Sequence, residues 1–246
     1  MKTIQTYSQY IKLKLFTMRV HTKETQSSLS PRMALQILKE GNERFINNLK
    51  AQRDLLEQVN ATRDGQWPFA IVLSCIDSRT SAELIFDQGL GDIFSVRIAG
   101  NIVNTDILGS MEFACKVAGS KLIVVLGHTK CGAVKGACDH VEMGNLTELL
   151  SKLQPAVYSE TETKDNSLRN SKNPDFVENV SAINVRRTVK SIIERSYIIE
   201  QMVENGEIGV VGAMYNIETG KVDFYNDAEY IKDEVNPEFS VVELRH

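Results

Sequence analysis

The stretch KLIVVLGHTKCGAVKGACDH, residues 121–140, decides the fold class and poses the functional question. KLIVVLG (121–127) is short and almost continuously apolar, the pattern of a strand buried on both faces, as in parallel sheets covered by helices. AVKGACDH (133–140) reads as a short helix after a glycine, so strand, loop and helix follow one another as in an α/β unit. In such sheets ligands gather beyond the carboxyl ends of the strands. His128 and Cys131 stand at that place, drawn from only four histidines and four cysteines in the chain. Two metal-type ligands three residues apart are half of a site.

Working outward, PFAIVLSC (68–75) is a second apolar run and ends in Cys75. TSAELIFDQG (80–89) reads as helix, DIFSVRIAG (92–100) as strand and ILGSMEFACKVAG (107–119) as helix. GEIGVVGAMYN (206–216) is a further strand, ETG a hairpin turn, and KVDFYN (221–226) its antiparallel return. Ser30-Pro31 opens an earlier helix with an N-cap and a first-turn proline, and Met33, Leu35, Ile37, Leu38, Phe45, Ile46 and Leu49 recur along it at helical spacing. Residues 157–175 are poor in apolar side chains and read as a surface loop. One long helix is expected from Phe176 to about Asn205. The expected fold is α/β: a mostly parallel sheet of four strands plus an antiparallel edge strand, flanked by helices, with an N-terminal helical arm. Residues 1–29 read as a disordered extension and 30–246 as a single domain.

The bulk numbers agree with one soluble domain, since 246 residues can bury a substantial core. A formal charge of −4 gives no reason to expect nucleic acid or an anionic membrane as partner. No apolar run approaches the roughly 20 residues that span a bilayer. The first 25 residues hold no secretory h-region. Reduced cysteines and a cytoplasmic location follow as expectations. Cys115 and Cys138 lie in apolar helical stretches and are expected in the core, whereas His21, His140 and His246 have no obvious partners.

Adjacent strand ends would bring Cys75 to His128 and Cys131, giving two thiolates and an imidazole, a set preferred by zinc. Cys75 also opens CIDSR, in which Asp77 and Arg79 can pair as carboxylate and guanidinium. Zinc held by two thiolates and a neutral imidazole carries no net charge, so its water is acidified less than on three histidines. An ionised Asp77 can only accept a hydrogen bond. It would therefore select a proton-bearing zinc species such as hydroxide and aim its lone pair at a substrate.

CIDSR, HTKCG and the run AELIFDQGLGDIFSVRIAGN together resemble the β-class carbonic anhydrases, whose pattern C-x-D-x-R … H-x-x-C is matched at Cys75, Asp77, Arg79, His128 and Cys131. The resemblance extends from about Ser30 to Tyr225. It implies one zinc per chain and reversible hydration of CO2 to bicarbonate and a proton, with zinc-bound hydroxide oriented by the Asp77–Arg79 dyad. It further implies that Asp77 can move onto the metal as a fourth ligand. Gln66, nine residues before Cys75, matches a substrate hydrogen-bond donor of plant-type members, Phe94 a wall of their CO2 pocket, and the Gly132 N–H a further donor. Family members are dimers that combine into higher oligomers, with the N-terminal helix clasping the partner and the cleft at the interface, so the resemblance implies a homodimer or dimer of dimers here.

The sequence also departs from the family. Val72 stands where bicarbonate-inhibited members have Trp, which favours the open, plant-like type. Phe113 replaces a Tyr, and Ile98 replaces Asn in the usual R-N-A-G-N. Two other readings remain: a catalytically impaired zinc protein that senses bicarbonate or binds a partner, and a carbon disulfide hydrolase on the same fold.

Overall fold

The structure, a computed structural model, describes residues 20–232. Its five-stranded sheet has the order β2-β1-β3-β4-β5. The strands are β1 (Ala70–Ser74), β2 (Ile93–Arg97), β3 (Leu122–His128), β4 (Gly209–Tyr215) and β5 (Val222–Tyr230). The first four pair in parallel, and β5 returns antiparallel to β4 with a bulge between Val211 and Ala213. Every residue of β1 and β3 is buried, as their unbroken apolar runs imply. The expected four strands and antiparallel edge are all present.

Helices cover both faces. On one, α2 (Pro31–Ile46) docks Leu35 and Leu38 against Val72, Val124 and Val211. Ser30 caps this helix by accepting from the Met33 N–H, and Pro31 fits the first turn, where no backbone donor is needed. Its apolar face is thus used within the chain. On the other face lie α5 (Thr105–Glu112), α9 (Pro174–Arg195) and α10 (Tyr197–Glu204). Between these groups come α3 (Leu55–Ala61), α4 (Ala82–Ile85), α6 (Gly132–Cys138), α7 (Gly144–Ser151) and α8 (Gln154–Ser159), while α1 (Lys23–Ser27) precedes them all.

Several expectations need correction. The disordered extension over 1–29 meets the described residues only from 20 onward, and there it is ordered. Thr22 and Thr25 form a reciprocal cap on α1, and buried Gln26 donates from Nε2 to Pro68 O and Ala118 O, both at 2.8 Å. His21 is buried against Phe69, with ring centroids 5.1 Å apart. His246 falls outside the described residues, and exposed His140 stacks on Tyr158. The single helix expected over 176–205 is two, broken at Ser196, whose extended backbone interrupts the helix and whose Oγ accepts from Ile199 N–H to start α10. The helix expected to run to Gly119 leaves α-geometry after Glu112 and finishes as a π turn over Phe113–Val117. Exposed as it is, the segment 157–175 is organised around a carboxylate that is not: Glu160 accepts from the N–H groups of Glu162 and Thr163 and pairs with Arg169 at 2.7 Å. Cys115 and Cys138 are core residues, as expected.

Candidate metal centre

Three chain segments converge at the carboxyl edge of the sheet. Cys75 is the residue after β1, His128 is the last residue of β3, and Cys131 is the N-cap of α6. β1 and β3 are hydrogen-bonded neighbours, with Ser74 opposite Leu126, so the two strand ends lie side by side. The ligand-capable atoms of Cys75, His128 and Cys131 all fall within 4.8 Å of one another, and all three residues are buried.

The donor set fits a zinc ion by three observations. The two sulfurs are 3.9 Å apart, close to the ~3.8 Å expected of two thiolates at about 2.3 Å around a tetrahedral ion. His128 Nδ1 lies 2.9 Å from Thr129 O and must donate to it, which leaves Nε2 as the bare nitrogen. That Nε2 is buried without any hydrogen-bond partner, a costly arrangement that a metal would relieve. The thiols are prepared as well. The hydrogen bond from Cys131 pulls the Cys75 thiol down to about 4 against its burial, with help from His128 and the Gly100 N–H. The same contact and burial push the Cys131 thiol up.

Beside the ligands, Arg79 donates to Asp77 through its backbone N–H (3.0 Å), Nε (2.9 Å) and Nη2 (2.7 Å). This forked pairing holds the Asp77 carboxyl well below the usual carboxylate range. Oδ1 takes two of the donors and Oδ2 one, so Oδ2 keeps a free lone pair.

The loop between Cys75 and Thr80 is fixed by residues the sequence reading passed over. Arg97, at the end of β2, donates from Nε to Cys75 O (3.0 Å) and from Nη2 to Asp77 O (2.5 Å). Buried Thr80 donates its hydroxyl to the same two carbonyls. Thr129 and Lys130, which look like spacers in HTKC, are supports. Thr129 N–H donates to Tyr215 O, its hydroxyl accepts from Ile217 N–H, and left-handed Lys130 donates its N–H to Glu178.

The substrate-side residues divide. Gly132 follows Cys131 at the start of α6, exposed, with open space where a side chain would stand, so its backbone can be approached. Phe94 pairs with Ile71 in mid-sheet, four residues short of the level of Cys75, and packs edge-on against Phe113 in a groove of about 540 Å³ along the outer edge of the sheet. Gln66 is exposed on the segment before β1, at the opposite end of the strand from the ligands. At about 3.3 Å per strand residue, β1 alone puts more than 13 Å between Gln66 and its own Cys75.

A carbonic anhydrase family model matches residues 70–222. Carbonic anhydrase 2 of Mycobacterium tuberculosis is 34% identical over 212 residues, which span 84% of this chain and 98% of that one. The Mycolicibacterium smegmatis carbonic anhydrase is 34% identical over 201 residues, 79% of this chain and 93% of that one. Among solved structures, a tetrameric β-carbonic anhydrase of Sordaria macrospora superposes with a TM-score of 0.60 at 26% identity, over 68% of this chain and 85% of its own. The fold and the Cys-His-Cys triangle are those of a metalloenzyme of the β class. The chain belongs to the β-carbonic anhydrase family.

Proposed function

We propose that this protein is a zinc carbonic anhydrase that interconverts CO2 with bicarbonate and a proton, with Cys75, His128 and Cys131 as ligands. The observation that carries the reading is the bare, buried His128 Nε2 facing two sulfurs, one loop away from an ion-paired Asp77. Zinc bound there would acidify a water molecule, though less than on three histidines, and so supply a nucleophile toward carbon at mildly alkaline pH. The protein's own work is orientation. Asp77, kept ionised by Arg79, accepts a hydrogen bond from the attacking oxygen at Oδ2 and so turns a lone pair toward CO2. Because Arg79 occupies both carboxylate oxygens, Asp77 is held off the metal, which supports the open form; displacement of Arg79 would free it to become the fourth ligand. The Gly132 N–H donates to a substrate oxygen.

Gln66 and Phe94 are too far along the sheet to serve the metal of their own chain. They complete a partner's site, so the active unit is at least a homodimer, alone or as a dimer of dimers. The tetramer found for the Sordaria proteins supports such an assembly. Among the described residues no helix is long and apolar enough to cross a membrane; we assign the enzyme to the cytoplasm on its reduced, metal-ready cysteines. The intact dyad disfavours a silent bicarbonate sensor, since a purely structural zinc site needs no carboxylate beside it, and nothing in the site favours carbon disulfide.

Stopped-flow CO2 hydration with parallel zinc analysis tests the reading. Wild type and Asp77→Asn should both hold about one zinc per chain, and the variant should lose at least about a hundredfold in kcat. A zinc-loaded wild type no faster than buffer at about pH 8–9 would refute it.

A further inference from the structure

The chain is acidic overall, with a formal charge of −4, yet one of its cavities is lined by three cations and no carboxylate. The cavity measures about 400 Å³ and lies between α9, the Ile102–Thr105 segment and the end of α7. Arg187, Thr188, Ser191 and Arg195 face it from α9, at the spacing that puts helical residues on one face, and Lys152 and Asn104 close it from the other elements.

Two features separate this cluster from an ordinary solvated surface. Arg187 has no hydrogen bond or ion pair among the described residues, and Arg195 uses one donor, Nη1 to Val103 O at 3.3 Å. Lys152 is the one cation with an acidic partner, Glu148 at 2.8 Å, and Glu148 does not line the cavity. Two guanidinium forks and an ammonium around one small space repel one another unless an anion joins them. Guanidinium geometry matches the paired oxygens of a phosphoryl group, and Thr188 and Ser191 add hydroxyl donors.

We propose that this cavity binds a phosphoryl group, either as inorganic phosphate or on a small organic phosphate. The site is separate from the metal centre, since it shares no residue with the ligands or the dyad. It is nevertheless a neighbour: Asn184, also on its wall, donates to Gly100 O at 2.8 Å, and the Gly100 N–H donates to Cys75 Sγ at 3.4 Å.

Calorimetric titration of the zinc-loaded protein with inorganic phosphate, and separately with glycerol phosphate, tests this at constant ionic strength, so that screening is the same throughout. Saturable binding is expected, weakened at least about tenfold by Arg187→Gln or Arg195→Gln, because each removes charge-assisted hydrogen bonds. Both arginines are exposed and lie outside the catalytic machinery, so CO2 hydration should be unchanged and certifies the fold of the variants. Tighter binding of the ester would identify an organic phosphate as the ligand, and equal or weaker binding of it the free ion. No saturable binding of either probe up to about 10 mM, well above the millimolar Kd of a weak site, would overturn the proposal. So would binding that both substitutions leave intact, which would place the anion elsewhere, as at the metal.

Discussion

Gly127→Ala tests how closely the long helix α9 must approach the strand that delivers His128. A Cβ at this position would lie 2.5 Å from Val185 Cγ2 and 3.2 Å from Met214 Cε. The methionine tip can give way. Val185 cannot, being β-branched and fully buried, and the same side chain would stand 2.8 Å from a Cβ on Gly212 of the next strand. It is wedged into a slot made by two glycines. β3 has no freedom to retreat, since β1 and β4 are bonded to it on either side. Overpacking of this kind costs about 1–3 kcal/mol. Alanine returns roughly 0.4–1 kcal/mol by narrowing the unfolded ensemble. The expected net loss is about 1–2 kcal/mol, or about 2–8 °C in Tm for a chain of this size. Val185→Ala alone should lose about 1–3 kcal/mol by opening a cavity. In the double variant the new methyl occupies part of that cavity and the clash is gone, so the losses should fall short of additivity by about 1–2 kcal/mol. Urea unfolding of the four proteins, all saturated with zinc so that metal linkage is equal, measures this. A Gly127→Ala protein as stable as wild type, or strict additivity in the cycle, would show that Val185 does not need the space left by Gly127.

Two further predictions concern the site. Arg79 depresses the Asp77 pKa, so the pairing stabilises the fold above the unfolded carboxylate value of about 4 and the benefit disappears as pH falls through the lowered native value. Wild type should therefore exceed Arg79→Gln in urea midpoint near neutrality, and the gap should close in acid; a gap that widens in acid would contradict the pairing. If Gln66 serves a partner's metal, Gln66→Ala and Cys131→Ser chains are each weak or inactive alone, but assembled together they regain about a quarter of wild-type activity, because half of the random dimers carry one complete site of two. An absence of rescue in mixed oligomers would place Gln66 outside a shared site.

Much of this molecule was legible from short-range pattern. β1 and β3 are unbroken apolar runs because they are buried on both faces, and their order relative to Cys75 and His128 was enough to assemble the ligand triangle. Capping chemistry marked the start of α2. The break at Ser196 was hidden because apolar side chains continue through it, although the serine itself was the available signal. Glu160 falls in a stretch that reads as a surface loop, and nothing in the sequence around Asp87 marks it as buried. Each is buried by arginines from other parts of the chain, Asp87 by Arg44 at 2.5 Å and Arg53 at 2.6 Å. Arg97 left no local trace either, since its role is to reach sideways from the neighbouring strand to the carbonyls of the Cys75 loop. Gln66 and Phe94 matched a pattern along the chain, but their distance from the ligands appears only once the strand has a direction.

X-ray absorption at the zinc edge of the purified protein reports whether Cys75, His128 and Cys131 bind one zinc. The expected spectrum shows about one zinc per chain with two sulfurs at about 2.3 Å, one nitrogen at about 2.0–2.1 Å and one further light ligand. Cys131→Ser should remove a sulfur or the metal altogether. A metal surrounded by nitrogen and oxygen alone, or a spectrum that Cys131→Ser leaves unchanged, would contradict it.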